Sequence, residues 1–185
     1  MDIDKAIQGR HSSRKFKEKK PDWRDILECI DATRFAPMAG GSYSLKFILV
    51  DDKEKIQQIA DSCQQDFVGA VHYIVVACSV IGRTVNAYGK AGEIYARQQA
   101  GAAMENFLLS IEDHGLATCW VGYFVESMIK ETLRIPSEIQ VEAVFPIGFE
   151  SEKRKAKKTK IELNNILYFN SYGQKGMDVP RRMNV

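Results

Sequence analysis

The stretch His72-Tyr-Ile-Val-Val-Ala-Cys-Ser-Val80 decides the architecture of this chain. It is a continuous apolar run rich in β-branched residues. It is too short for a long buried helix and fits a central strand covered on both faces. Two further strands follow from the same reading, one over "FILVD" from Phe47 and one over "VEAVFPIGF" from Val141. The segments between them carry helical spacing. A short amphipathic helix covers residues 2 to 8 and stops at Gly9. A second follows Asp22, which can cap it, with Ile26, Leu27, Ile30 and Ala32 or Thr33 at roughly helical spacing before Pro37. A third covers residues 53 to 66. The longest runs from 93 to 114, has the small-residue centre "AGAAMEN", and closes on Gly115. "ATCWVGYF" follows as loop or strand, and "ESMIKETLRI" as a short helix ending before Pro136. Strands and helices together predict an α+β layer arrangement.

With 185 residues, the chain is long enough for one domain with a real core. Hydrophobic residues at 45% and charged residues at 27% are ordinary for a globular protein. The net charge of +2 is unevenly placed. "KRKAKKTK", residues 153 to 160, carries six basic residues. Without those six, 20 basic residues face 24 acidic ones, a balance of −4. The positive charge is local, which favours a small anion over a polyanion wrapped around the protein. The run also lacks the interleaved aromatics that stack nucleic-acid bases, which argues against a nucleic-acid-binding module. Cys29, Cys63, Cys78 and Cys119 form no C-x-x-C pair and have no histidines at metal-ligand spacing. They predict a reduced, cytoplasmic protein without a metal site. The opening "MDIDKAIQGR" does not read as a signal peptide, and no apolar run approaches a membrane span.

The opening "RHSSRKF", residues 10 to 16, places Arg10, Ser12 and Arg14 at alternate positions. In an extended segment they share one side at a spacing of about 6.6 Å. Guanidinium forks suit phosphates and planar oxygen-bearing groups. Alternation turns His11 away from that side.

Four separated pieces then stand in order: "RHSSRKF", "FAPMAGGSYSLKFILV", "GLATCWVGYF" and "FPIGFESEKRKAKKTKIELNNILYFNSYG". Together, over residues 1 to 173, they resemble the nitroreductase family of FMN-dependent oxidoreductases. The family's opening is Arg-Arg-Ser-x-Arg-x-Phe. Its second piece is Ala-Pro-Ser-Ala-Gly-Asn-x-Gln-Pro-Trp before a strand. Its third is Gly-Leu-Gly-x-x-Trp-x-Gly after a long helix, and its fourth is Pro-Ile-Gly-Tyr before a basic stretch.

The resemblance implies a single domain over 1 to 173 with a tail over 174 to 185. It implies a mostly antiparallel sheet flanked by helices, and a homodimer with FMN at the interface. It assigns the opening segment Arg10, His11, Ser12 and Arg14 to the cofactor. Arg10 and Ser12 fall to its phosphate and ribityl chain, and Arg14 to the flavin pyrimidine edge. Pro37, Met38, Ala39 and Gly40 form the loop that contacts the neighbouring subunit's flavin. Thr118, Cys119 and Trp120 lie near the ring, with backbone N–H groups toward N5 or O4. Lys157, Lys158 and Lys160 occupy the region of the second set of phosphate cations, and Gly148 ends the strand before them. The second piece departs from the family. Met38 stands for Ser, Gly41 for Asn, Tyr43 for Gln and Leu45 for Trp, so the loop loses its amide side chains. Tyr43 could replace one polar contact through its hydroxyl or stack over a substrate. The implied reaction passes a hydride from NADH or NADPH through flavin N5 to an electrophile such as a quinone or nitroaromatic. The altered loop leaves a flavin-binding or sensing protein with little turnover as the alternative.

Overall fold

A computed structural model describes residues 2–152 and 161–177. The chain forms two compact units, Met1–Glu152 and Lys153–Val185. The larger unit contains helices α1 (Ile3–Gly9), α2 (Trp23–Asp31), α3 (Lys53–Cys63), α4 (Gly82–Tyr88), α5 (Lys90–Asp113) and α6 (Glu126–Leu133), with strands β1 (Leu45–Val50), β2 (Tyr73–Ser79), β3 (Ala117–Thr118) and β4 (Gln140–Gly148). The strands form one sheet in the order β1-β2-β4-β3, and every pair is antiparallel.

The apolar run at residues 72 to 80 becomes β2, in the interior of the sheet. All of its residues are buried. Alternation divides them between two cores. Tyr73, Val75 and Ala77 join Ala143, Phe145 and Ile147 of β4 against Ile26 and Cys29 of α2 and Ala103, Met104 and Phe107 of α5. Ile74, Val76 and Cys78 join Val141 and Val144 against Ile56, Ile59 and Cys63 of α3 and Ile129 of α6. Helices therefore cover both faces. This explains why an antiparallel strand reads as an unbroken apolar run instead of an alternating one.

Local chemistry sets the helix starts. Asp22 accepts from the Arg24 N–H at 2.9 Å, and Asp52 accepts from those of Glu54 and Lys55. Both are side-chain N-caps. The α2 spacing needs one correction: Ile26 and Cys29 are buried, but Leu27 is exposed. The third helix ends at Cys63, short of 66, where Gln64 takes a left-handed conformation. Helix α5 begins at Lys90, three residues before the expected start, and Gly115 follows it at φ +67°. The sequence gives no signal for α4, whose N-cap makes no side-chain hydrogen bond. It packs against α5, where a Cβ on Gly92 would meet the Thr84 carbonyl oxygen.

All four cysteines are free and buried. Among the described residues no group of side chains could hold a metal, and no helix is long and apolar enough to cross a membrane. In the smaller unit a 3₁₀ turn spans Leu163–Asn165, and the rings of Tyr168 and Tyr172 lie 4.7 Å apart with Lys175 over Tyr168.

Candidate cofactor site

The opening segment is an extended ribbon laid along the sheet's β3 end. The Ser13 N–H donates to the Thr118 carbonyl at 2.9 Å, and the Lys17 N–H donates to that of Phe149 at 2.8 Å. Phe16 bridges Glu150 in antiparallel fashion. These bonds join the opening piece to the third and the fourth, both more than a hundred positions away along the chain. They also seat the Phe16 ring over Gly148, where a Cβ would lie 2.9 Å from the ring. Gly148 is absent from the positive-φ glycines, so close approach of the ring requires it here, not a sharp turn.

Alternation holds within the ribbon only in part. Ser12 and Arg14 are exposed, and the Arg14 guanidinium lies 5.9 Å from the Phe67 ring centroid. Arg10 goes elsewhere. Its Nε lies 3.1 Å from Glu105 Oε1 of α5, and its side chain lines a cavity of about 150 Å³ with His11, Ser13, Glu112, Thr118 and Glu150. The Arg10 Nε is sealed from solvent without an aligned hydrogen-bond partner, and so is Thr118 Oγ1. Buried donors and acceptors left this way favour a ligand that completes them.

His11 is turned away from exposed Ser12 and Arg14, and its side chain is half-buried. Its Nδ1 lies 2.9 Å from the Gly9 carbonyl, and its Nε2 lies 2.7 Å from Glu150 Oε1. Ser13 Oγ donates to the same carboxylate oxygen at 2.9 Å. Both imidazole nitrogens are engaged within the protein. Burial pushes the His11 pKa down, but its bonds to Glu150 and Gly9 outweigh this and raise it above the usual 6.5. The sequence named His11 and missed Glu150, Glu112 and Glu105. Each is an ordinary acid in a polar stretch, and nothing local in the sequence marks it.

The second piece forms a tight loop. Gly40 and Gly41 have φ of +57° and +68°. A Cβ on Gly40 would lie 2.7 Å from the Tyr88 hydroxyl. Buried Gln99 of α5 holds the loop's end: its Oε1 accepts from the Ser44 N–H at 3.1 Å and from Ser44 Oγ at 2.5 Å, and its Nε2 donates to the Ser42 carbonyl. Gln99 carries no sequence signal. Pro37, Met38 and Ala39 line a hollow of about 270 Å³ with Tyr95 and Gln98. Tyr43 is half-buried. Thr33 Oγ1 donates to the Ile30 carbonyl and lies 2.7 Å from the Tyr43 hydroxyl, so the phenol proton goes to Thr33. That hydroxyl is committed to the fold, and the ring packs against the core beneath the sheet.

In the third piece, Thr118 and Cys119 are buried and Trp120 is partly exposed, edge-on to Phe145 at 5.7 Å. The cysteine points inward, as packing. Lys157, Lys158 and Lys160 lie outside the described residues.

The model of the nitroreductase family matches residues 7–71 and 64–149. The chain belongs to the nitroreductase family. A curated relative from Methanothermobacter thermautotrophicus, provisionally named NADH dehydrogenase/NAD(P)H nitroreductase, is 25% identical over 82% of this chain and 79% of its own. A crystal structure of a nitroreductase family protein from Clostridium novyi NT superposes with a TM-score of 0.75 at 28% identity, covering 94% of this chain and 96% of that one. An FMN-dependent nitroreductase from Clostridium difficile R20291 shares the fold, with a TM-score of 0.75 at 23% identity over 90% of this chain and 98% of its own. The α+β fold with its antiparallel sheet is therefore that of the family.

Proposed function

We propose that this chain is an FMN-dependent NAD(P)H oxidoreductase that reduces small electrophiles such as quinones or nitroaromatics. One observation carries the reading. The Ser13 N–H to Thr118 carbonyl bond fastens the cationic ribbon to the strand expected beside the flavin, and the buried Thr118 hydroxyl, without a hydrogen-bond partner, lines the same cavity as Arg10. The group suits these residues. Arg10 is a fork donor of the kind that pairs with a phosphate, here beside the Glu105 carboxylate, and exposed Ser12 offers a hydroxyl.

When bound, FMN would supply the hydride chemistry, accepting at N5 from NAD(P)H and passing the hydride on. The chain's own part is to bind and orient. Arg10 and Ser12 hold the phosphate end, to which the family resemblance also assigns Lys157, Lys158 and Lys160. Arg14 places positive charge by the pyrimidine edge, which favours reduction there. Backbone N–H groups at Thr118, Cys119 and Trp120 face the ring. The loop of Pro37, Met38, Ala39 and Gly40 closes the site from a second subunit in a homodimer, with Tyr43 beside the acceptor. The free, buried thiols fit a reducing cytoplasmic compartment.

An absorbance spectrum of the purified protein tests the reading. A yellow protein that bleaches with NAD(P)H and consumes it steadily with a quinone supports it. A colourless protein that FMN does not stabilise sinks it. The loop favours a second reading, a flavin-binding or sensing protein: its family amides are absent and its polar contacts point inward to Gln99. Bleaching without steady consumption would select that reading.

A further inference from the structure

The His11 ring sits between two acceptors. One is the Gly9 carbonyl at the end of α1, and the other is the Glu150 carboxylate just past β4. A neutral imidazole donates from one nitrogen only, so the imidazolium alone can serve both. Ser13 Oγ donates to the same Glu150 oxygen. Among the described residues, the charged groups that line the same cavity as the ring are Glu150 beyond β4, Glu112 from α5 and Arg10 from its own ribbon. The two acids favour the charged ring, and burial opposes it. His11 and Ser13 alternate with Ser12 and Arg14 along the ribbon, and Arg10 adjoins His11. A bond at His11 therefore sets the path of the residues assigned to the cofactor.

Resting on the cofactor reading above, we propose that His11, Ser13 and Glu150 form a charge-dependent clasp that positions the Arg10–Arg14 ribbon for a nucleotide phosphate, and that cofactor affinity falls as the imidazole gives up its proton. His11 is thus a positioning residue and not a ligand. The sign follows from linkage. A histidine whose pKa is raised in the folded protein contributes fully below about pH 6.5 and loses its contribution as pH rises through the raised value. Deprotonation leaves one acceptor facing a lone pair, so the ribbon loosens where the phosphate must bind.

The test uses the full chain stripped of flavin. FMN is titrated by fluorescence quenching from about pH 6.5 to about pH 8.5, above the second ionisation of its phosphate. In the wild type the dissociation constant should rise about threefold or more across that range. His11→Gln should bind more weakly at the lower end and show a flat profile. Independently, the His11 imidazole proton resonances of the cofactor-free protein should titrate above 6.5, and Glu150→Gln should lower that midpoint. Parallel FMN profiles in wild type and His11→Gln overturn the coupling to cofactor. A midpoint at or below 6.5, unmoved by Glu150→Gln, overturns the clasp. A chain that binds no FMN at any pH sinks the functional reading and the coupling together, while the imidazole midpoint still decides whether the clasp exists.

Discussion

Arg10 Nε lies 3.1 Å from Glu105 Oε1, so the first arginine of the cationic ribbon is held by a carboxylate of the long helix. A phosphate approaching Arg10 meets that negative charge. Both side chains are partly exposed, and such a pair contributes under about 1 kcal/mol to stability. Glu105→Gln should therefore leave the melting temperature nearly unchanged. It should strengthen binding of FMN relative to riboflavin about two- to tenfold, because only FMN carries the phosphate. Equal changes for the two flavins would place Glu105 outside the phosphate's reach.

Gln99 holds the loop that carries Met38 to Ser44. Gln99→Ala leaves the Ser44 N–H and the Ser42 carbonyl without their side-chain partner. Urea unfolding should show a loss of about 1–3 kcal/mol. Gly40→Ala should cost about 1–2 kcal/mol, since it forces a left-handed alanine toward the Tyr88 hydroxyl. Tyr88→Phe should recover part of that loss in the double variant, and no recovery would show that backbone strain alone sets the cost.

Gly148→Ala should displace Phe16, because the new methyl would lie 2.9 Å from its ring. The expected cost is about 1–3 kcal/mol, the range for overpacking. In the Phe16→Ala background the same change should cost much less. Full additivity of the two would mean that the ring does not rest on Gly148.

The thiols should resist reagents in the native state. Burial raises the Cys29 and Cys78 pKa to about 11 and also raises that of Cys63. At about pH 8 little reactive thiolate forms at these positions. Ellman's reagent should label all four buried cysteines at the unfolding rate or slower, with a burst to four equivalents in denaturant. Immediate native labelling of one equivalent would reveal local opening.

His114 provides a second pH-dependent contact away from the ribbon. Burial lowers its pKa, but its bonds to Glu28 and to the Ser110 carbonyl raise it overall. The stabilisation is complete below about pH 6.5 and is lost as pH rises through the raised value. Thermal melts should show His114→Gln closing its stability gap to wild type as pH rises. A gap that widens would mean the neutral ring is the stabilising form.

Much of the fold is visible along the chain because its signals are local. A short apolar run rich in β-branched residues fits a strand covered on both faces, and Asp22 and Asp52 mark helix starts by bonding only two or three residues on. Helix α4 was not legible, because it depends on the backbone of α5 through Gly92 and not on its own caps or spacing. The ordered pieces around Arg10, Met38 and Trp120 pointed to a family and a cofactor, since glycine, arginine and tryptophan at set intervals are informative by identity.

The partners of those residues are a different matter. Glu105, Glu150 and Gln99 lie far along the chain from the residues they hold, and acids and amides are common at any helix surface or strand end. By itself the sequence determined the main strands and helices and the position of the cationic ribbon, because each rests on residues within a few positions of one another. Only the tertiary structure decided that Arg10 leans on α5, that His11 is clamped between Gly9 and Glu150, and that Gly148 exists to seat Phe16. Those facts depend on which remote groups the packed core brings within about 3 Å, and hydrogen bonds and steric contact act only at that range.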